Sequence, residues 1–393
     1  LDKKILDSEF QNFIIDNIDK DVAKLALQKN PFPEIPWLEI LNQIAAKSKA
    51  KEKLPTFFNT PHIIFPNKIS VEQSSSEKTA WYKSTLISGN TIIDLTGGFG
   101  VDDFYFSKKV KQVIHCEINN KLSEIVEHNF DILNASNIQC IAGDSLDVLE
   151  KGNKKYDWIY IDPSRRNDAK GKVFMLKDCL PNVPELLDFY FSHTENILIK
   201  TAPILDISAG LSELSNVKYI HVVAIDNEVK ELLWELSKDF KGSPIIKTIN
   251  FNKGNLDRFD FELPTNGDNA RFGLPKKYLY EPNSAIMKSG GFDEICSKYN
   301  IDKLHPHSHL YTTDKIIEFP GRVFEIEKII PYNKTELKIY LENKKANITT
   351  RNFPDTVEII RKKWKIKDGG NMYCFFTTDT NNHKIVLICA KIN

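Results

Sequence analysis

Between residues 91 and 162 the chain sets four short apolar runs in succession, each closing on an acidic residue or leading straight to one. They are Thr91-Ile-Ile-Asp94, Gln112-Val-Ile-His-Cys-Glu117, Ile138 to Ile141 with Ala142-Gly-Asp144 after it, and Tyr156-Asp-Trp-Ile-Tyr-Ile-Asp162. Runs this short and this rich in β-branched and aromatic residues predict strands. The stretches between the first three, Val101–Lys109 and Asn119–Leu133, predict helices. Alternation of this kind implies a mostly parallel sheet covered on both faces. Further strands are expected at Asn196–Lys200 and Lys218–Ile225, with Ile245–Phe251 and Phe259–Glu262 paired as a hairpin.

Open α/β sheets bind ligands beyond the carboxyl ends of their strands, where the strand order reverses. The first strand here runs into Asp94-Leu-Thr-Gly97-Gly98-Phe-Gly100. Glycines in such a loop let the backbone approach a ligand where a Cβ would collide. Glu117 lies 23 residues beyond Asp94, a position from which a carboxylate accepts ribose hydroxyls. Asp144 follows the third strand, and Asp162 ends the fourth. Two ligand classes suit this series, a dinucleotide and S-adenosylmethionine (SAM). The Gly-Gly-x-Gly spacing is not Gly-x-Gly-x-x-Gly, because Asp103 stands three residues past Gly100. Asp102 and Asp103 beside the helix start should repel a pyrophosphate, whereas the ammonium and sulfonium groups of SAM tolerate carboxylates. The electrostatics favour SAM.

These residues resemble class I SAM-dependent methyltransferases. The wider pattern is similar to methyltransferases with a C-terminal THUMP-like domain, common in Bacteroidetes. The matching segments are Glu72–Ala80, Asp94–Asp102, Ile161–Arg166, Asn227–Trp234, Tyr280–Asn283 and Thr350–Pro354. The resemblance implies a Rossmann-like class I sheet with an N-terminal helical segment and a small C-terminal α+β module. It implies Asp94 and the glycines at the methionine end of SAM, Glu117 at the ribose and Asp144 at the adenine. The full cofactor-binding set expected is Asp94, Thr96, Gly97, Gly98, Gly100, Asp102, Glu117, Ile118, Asp144, Ser145 and Asp162. Asp162, Pro163, Ser164 and Arg165 should face the methyl group as the catalytic set.

Methyl transfer needs alignment and a way to handle the acceptor's proton. Amino-methylating enzymes of nucleic acids usually place an aromatic residue after Asp/Asn-Pro-Pro to stack on a flipped base. Asp162-Pro-Ser-Arg-Arg166 lacks both the second proline and the aromatic. Arginine in this place also occurs in uracil-C5 methyltransferases, which need a cysteine nucleophile, and Cys179 is the candidate. Arg165 and Arg166 could instead grip a substrate phosphate or pair with Asp168 or Asp178. Lys200, at the end of the fifth strand, should border the same crevice.

The flanks carry other signals. Phe10, Phe13, Ile14, Ile18, Val22, Leu25 and Leu27 recur at helical spacing, and Trp37–Lys51 reads as an amphipathic helix. Ser74 and Glu77 have the spacing of a capping box. After residue 270 a helix ending near Tyr299, strands near 323–329, 335–341 and 372–377, a helix at Thr356–Trp364 and a last strand at Lys384–Lys391 are expected. The domains expected are 1–75, 76–268, 269–320 and 321–393.

The net charge of zero hides an excess of 25 Lys+Arg over 18 Asp+Glu from Lys241 onward. Arg351 and the cluster Arg361-Lys362-Lys363-Trp364 interleave positive charge with aromatics, which suits RNA or a solvated helix face. His305, His307 and His309 suit either a metal or a loop; no metal is expected. Scattered cysteines, no apolar run of membrane-spanning length and no secretory leader point to a cytoplasmic protein. The function expected is a SAM-dependent methyltransferase of RNA, rRNA or tRNA, contacted through Arg165, Arg166, Lys200, Arg351, Arg361, Lys362 and Lys363. The alternatives are a SAM-binding RNA or assembly factor without catalysis, and a small-molecule or protein methyltransferase.

Overall fold

The computed structural model describes residues 3–165, 175–263 and 270–392. The chain divides into two compact units, Leu1–Val217 with Trp234–Phe240, and Lys218–Leu233 with Lys241–Asn393.

The first unit begins with helices α1 (Ser8–Asp16), α2 (Val22–Ala26), α3 (Trp37–Lys53), α4 (Pro55–Asn59), α5 (Lys68–Gln73) and α6 (Glu77–Ser84). Phe10, Ile14, Leu25, Ile40 and Ile44 form one apolar cluster, as their spacing requires. Leu27 departs from that face and is 89% exposed, because α2 ends at Ala26. The capping box expected at Ser74 is displaced. Ser74 closes α5, and Ser76 caps α6 by accepting from the Thr79 amide at 3.2 Å. Glu77 reaches elsewhere, to the Thr56 amide and hydroxyl at 2.6 and 2.8 Å and to the Tyr105 hydroxyl at 2.9 Å.

The alternating region follows as β1 (Thr91–Asp94), α7 (Val101–Phe106), β2 (Gln112–Glu117), α8 (Asn120–Ile132), β3 (Ile138–Ala142) and α9 (Ser145–Gly152). After it come β4 (Trp158–Ile161), α10 (Val183–His193), β5 (Asn196–Thr201) and α11 (Ile207–Glu213). The strands pair in parallel in the order β3-β2-β1-β4-β5. The order therefore reverses at β1, and the crevice between the carboxyl ends of β1 and β4 is where such a sheet takes a ligand. Ala46, Ala50, Leu54, Phe57, Phe65 and Val71 share one core with Phe99, Val101, Phe104, Val126 and Phe130. The N-terminal helices thus pack directly behind the glycine loop.

In the second unit, β6 (Val217–Ile225) and β7 (Glu228–Ser237) are joined by Asp226 and Asn227, both with positive φ, the conformation of a tight hairpin turn. Sequence reading passed over β7, whose polar start hides a buried second half; its end, Trp234–Ser237, belongs to the first unit and lies next to β5. β8 (Ile245–Asn252) runs parallel to β6, and β9 (Asn255–Glu262) pairs with it as the expected hairpin.

A second, seven-stranded sheet holds β10 (Tyr278–Pro282), β11 (Asp302–Lys303), β12 (Tyr311–Thr313), β13 (Gly321–Pro331), β14 (Asn347–Arg351), β15 (Met372–Thr378) and β16 (Lys384–Lys391). Its order is β11-β12-β10-β13-β16-β15-β14. Residues 335–341, expected as a strand, instead lie mostly in the helix Lys334–Tyr340. Their polar–apolar alternation misleads, because Leu337 and Leu341 are buried four residues apart while Ile339 is 58% exposed. Asn333 caps that helix through the Glu336 amide. Residues Asn347–Arg351, not expected as a strand, pair in parallel with β15.

Candidate functional site

The loop after β1 is fixed from three sides. Asp94 Oδ1 accepts from the Thr96 amide at 2.7 Å and its hydroxyl at 3.0 Å. The Thr96 hydroxyl accepts in turn from the Asp162 amide at 2.7 Å, tying the loop to the end of β4. The Gly97 amide donates to the Cys116 carbonyl, and the Gly98 amide to Glu117 Oε2 at 2.9 Å. The glycines themselves answer a different need from the one expected. A Cβ at Gly97 would stand 2.5 Å from Nδ1 of the buried His115 ring, and one at Gly100 would stand 2.5 Å from the ring of Phe130. These two glycines make room for protein rings; of the three, only Gly98 would place a Cβ at ordinary contact distance, 3.6 Å from the Thr96 carbonyl oxygen. Gly97→Ala should therefore cost about 1–3 kcal/mol of stability by overpacking. A urea titration should show part of that cost recovered in Gly97→Ala with His115→Ala.

Beneath the loop lies a buried polar cluster. Burial, and then the charge of Asp103, push the Asp94 carboxyl well above its ordinary range. Burial and the charge of Asp102 do the same to Asp103, which meets His115 Nδ1 at 2.6 Å. Burial pushes the His115 imidazole down despite the carboxylates of Asp94 and Glu117. Asp103 thus faces the interior and does not line the cavity.

Asp102 does line it, but its charge is matched by a residue that sequence reading missed. Lys83, fully buried on α6, lies 3.2 Å from Asp102 Oδ1 and donates to the Ser75 hydroxyl. Ser75 and Tyr160 both donate to Asp102 Oδ2 at 2.8 Å. Burial alone would raise the Asp102 carboxyl, but Lys83, Lys200 and the two hydroxyls outweigh it and hold it below its usual value. The expectation that Asp102 and Asp103 repel a pyrophosphate loses both of its carriers, since one is paired and the other turned inward.

The cavity measures about 710 Å³, within the usual range for small-molecule sites. Its lining brings together Asp94, Thr96, Gly97, Gly98, Gly100, Asp102, Glu117, Ile118, Asp144, Ser145 and Asp162, all of the residues expected to hold the cofactor. Glu117 Oε1 and Oε2 each accept one backbone amide, from Asn119 and Gly98. Asp144 caps α9 through the Leu146 amide. Ile118 and Leu180 are 74% and 53% exposed and both line the cavity. Ser70, Gln73, Ser74 and Ser75 supply a further polar wall. The only advance signal for these was polar residues flanking a helix start.

At the carboxyl ends of β4 and β5, Lys200 Nζ forms an ion pair with Asp162 Oδ2; Lys200, expected to border the crevice, stands behind that carboxylate and does not itself line the cavity. Pro163 is buried, and Ser164 lines the cavity and pairs with Leu180 in a two-residue ladder. Arg165 pairs along the backbone with Cys179. Arg166 and Asp168 lie outside the described residues. Cys179 is fully buried and does not line the cavity.

The remaining expected residues belong to the second unit. Arg351 pairs with the buried Glu281 at 2.9 Å, beside Arg322. Arg361 binds Asp368 and the Ala346 carbonyl. Lys362 and Lys363 are exposed, Lys363 lying 3.9 Å from Asp355. The His305 and His307 rings lie 5.5 Å apart, but the three histidines form no common ligand set. His309 stacks on Phe292, its imidazole pushed by burial down to about 4, while His305 bonds Asn352 and Asn382. Among the described residues no group of His, Cys, Asp and Glu is arranged to hold a metal, and no helix is long and apolar enough to cross a membrane.

Residues 278–320 match the family described as a ferredoxin-like domain, and residues 321–391 that described as THUMP domain-like. An uncharacterized RNA methyltransferase of Clostridium acetobutylicum is 32% identical over 158 residues, 40% of this chain. That match spans about a third (32%) of the length of the curated relative. A solved structure from Porphyromonas gingivalis W83, described as that of a methyltransferase, is 30% identical with a TM-score of 0.85. The alignment covers 100% of this chain and 99% of that one. A likeness that runs end to end at this identity shows that the chain belongs to the same methyltransferase family as the Porphyromonas protein, a class I fold with a C-terminal THUMP-like module.

Proposed function

We infer that the cavity binds SAM and that the chain methylates RNA. The observation that carries the first part is the cavity itself. It has the volume for a nucleoside with an amino-acid arm, and the apolar Ile118 and Leu180 are left exposed along its wall as surfaces for a flat ring. Glu117 keeps acceptor capacity for ribose hydroxyls after holding its two amides, and Asp144 does so for an amino edge. Gln73, with both a donor and an acceptor in its amide, and the oxygens of Ser70 and Ser74 line the wall available to the amino-acid end. Bound there, SAM supplies an electrophilic methyl group. The chain's own part is to hold it, exclude water and present the acceptor beside Asp162.

The second part rests on the THUMP-like module, the RNA methyltransferase relative and the exposed pair Lys362 and Lys363. Labelled SAM incubated with the protein and total cellular RNA should transfer label to RNA. Measurable SAM binding with no transfer would favour a non-catalytic RNA factor. Nucleoside mass spectrometry of tRNA and rRNA from a deletion strain would then identify the target. Affinity for RNA should fall steeply with salt, and replacing Lys362 and Lys363 with alanine should lower the log–log slope by about 1–2. A slope unchanged by both substitutions would remove these lysines from the RNA interface, and salt-independent binding would point to a small-molecule or protein acceptor.

A further inference from the structure

We propose that the acceptor is a hydroxyl oxygen, which in RNA is the ribose 2′-hydroxyl; the proposal rests on the reading of the cavity as a SAM site and the substrate as RNA. Asp162 lines the cavity with its side chain 36% exposed, and Lys200, 12% exposed, holds its ammonium against Asp162 Oδ2. The sign of charge that builds on the acceptor distinguishes the three kinds of attacking atom.

An amine that attacks a methyl sulfonium gains positive charge as its new bond forms; Asp162 can accept its proton, but the Lys200 ammonium behind that carboxylate opposes the change rather than assisting it. A hydroxyl gains negative charge on its oxygen as the proton leaves, and the same ammonium stabilises it. A pyrimidine carbon needs a covalent nucleophile to become electron-rich. Among the described residues no cysteine lines the cavity, and Cys179 is fully buried. Among the described residues the aromatics that line it are Phe99 and Tyr160, buried at 4% and 1% exposure, and Tyr160 donates its hydroxyl to Asp102. Neither is free to stack on a flipped base.

The step balances without a further reactant. Asp162 takes the hydroxyl proton as the O–H bond breaks. The oxygen's electron pair forms the O–CH₃ bond, and the methyl–sulfur bond breaks with its pair remaining on sulfur. Lys200 stays protonated throughout and compensates the oxygen's developing charge.

The test uses the full chain, methyl-labelled SAM and total RNA, followed by alkaline hydrolysis. A 2′-O-methyl group blocks alkaline cleavage of its own linkage, so the label is expected in alkali-stable dinucleotides. Lys200→Met is expected to lose at least 100-fold in transfer while its calorimetric affinity for SAM stays within about three-fold. Lys200→Arg keeps the cation and should retain a tenth or more of the rate. Label recovered in mononucleotides bearing a methylated base would overturn the proposal, as would full activity in Lys200→Met. SAM binding by the wild type without any transfer to RNA would overturn it while leaving the SAM site standing. No SAM binding at all would remove the reading of the cavity on which it rests.

Discussion

Replacing Asp162 with alanine is expected to slow methyl transfer by roughly 10²–10⁴-fold, the usual contribution of a positioned acid–base group, while SAM affinity changes only a few-fold. The split follows from how the residue is held. The Asp162 amide is fixed by the Thr96 hydroxyl, and that hydroxyl by Asp94, so the main chain at the end of β4 keeps its place without the carboxylate. Asp162→Asn should be as slow as the alanine variant, since an amide keeps the shape but cannot take a proton. Single-turnover rates at saturating SAM, set beside calorimetric binding constants, would measure both quantities. Loss of SAM binding in both variants would mean that Asp162 holds the cofactor rather than the acceptor.

The second large effect concerns stability. Lys83→Met should cost about 3–5 kcal/mol, because it leaves Asp102 buried with its charge unmatched. The double variant Lys83→Met, Asp102→Leu should recover much of that, since an apolar pair of similar volume often serves as well as a buried ion pair. Urea unfolding would decide it, with a loss below about 1 kcal/mol showing that the pair does not behave as a buried one. The sign of the pH dependence follows from the depressed Asp102 carboxyl. Its contribution is present above the ordinary carboxylate range and lost as pH falls through the folded value, so Lys83→Met should weaken that acid limb.

How far the sequence foretold this arrangement depended on what each residue faces. The strands that end at Asp94 and Glu117 and just before Asp162 were readable because a buried parallel strand must be apolar almost throughout and stop at polar turn residues. The acids that line the cavity were readable for the same reason, since they stand where each apolar run stops or just beyond it. Lys83 was not, because a lysine in Trp81-Tyr82-Lys83 looks like any solvated helix residue until its partner 19 positions on is placed beside it. The purpose of Gly97 was hidden too. A glycine that makes room for a ligand and one that makes room for His115 are identical in sequence. Residues 335–341 misled because an alternating pattern with leucines four apart satisfies both periods, and only packing chose the helix. Arg351 looked available for a polyanion until Glu281, 70 residues earlier, was found beneath it.

Phe99, in the middle of the glycine loop, packs against Phe57 and Phe65 with ring centroids 5.4 and 6.0 Å apart. Loop and N-terminal helices therefore belong to one cooperative opening unit, in the sense that their amides should exchange with solvent together rather than separately. A ligand that quiets the loop would then slow exchange as far away as α3. The order in which the chain emerges during synthesis acquires a meaning as well. Trp37–Asn59 is made first but reaches its final packing only once Phe99 and Phe130 have followed.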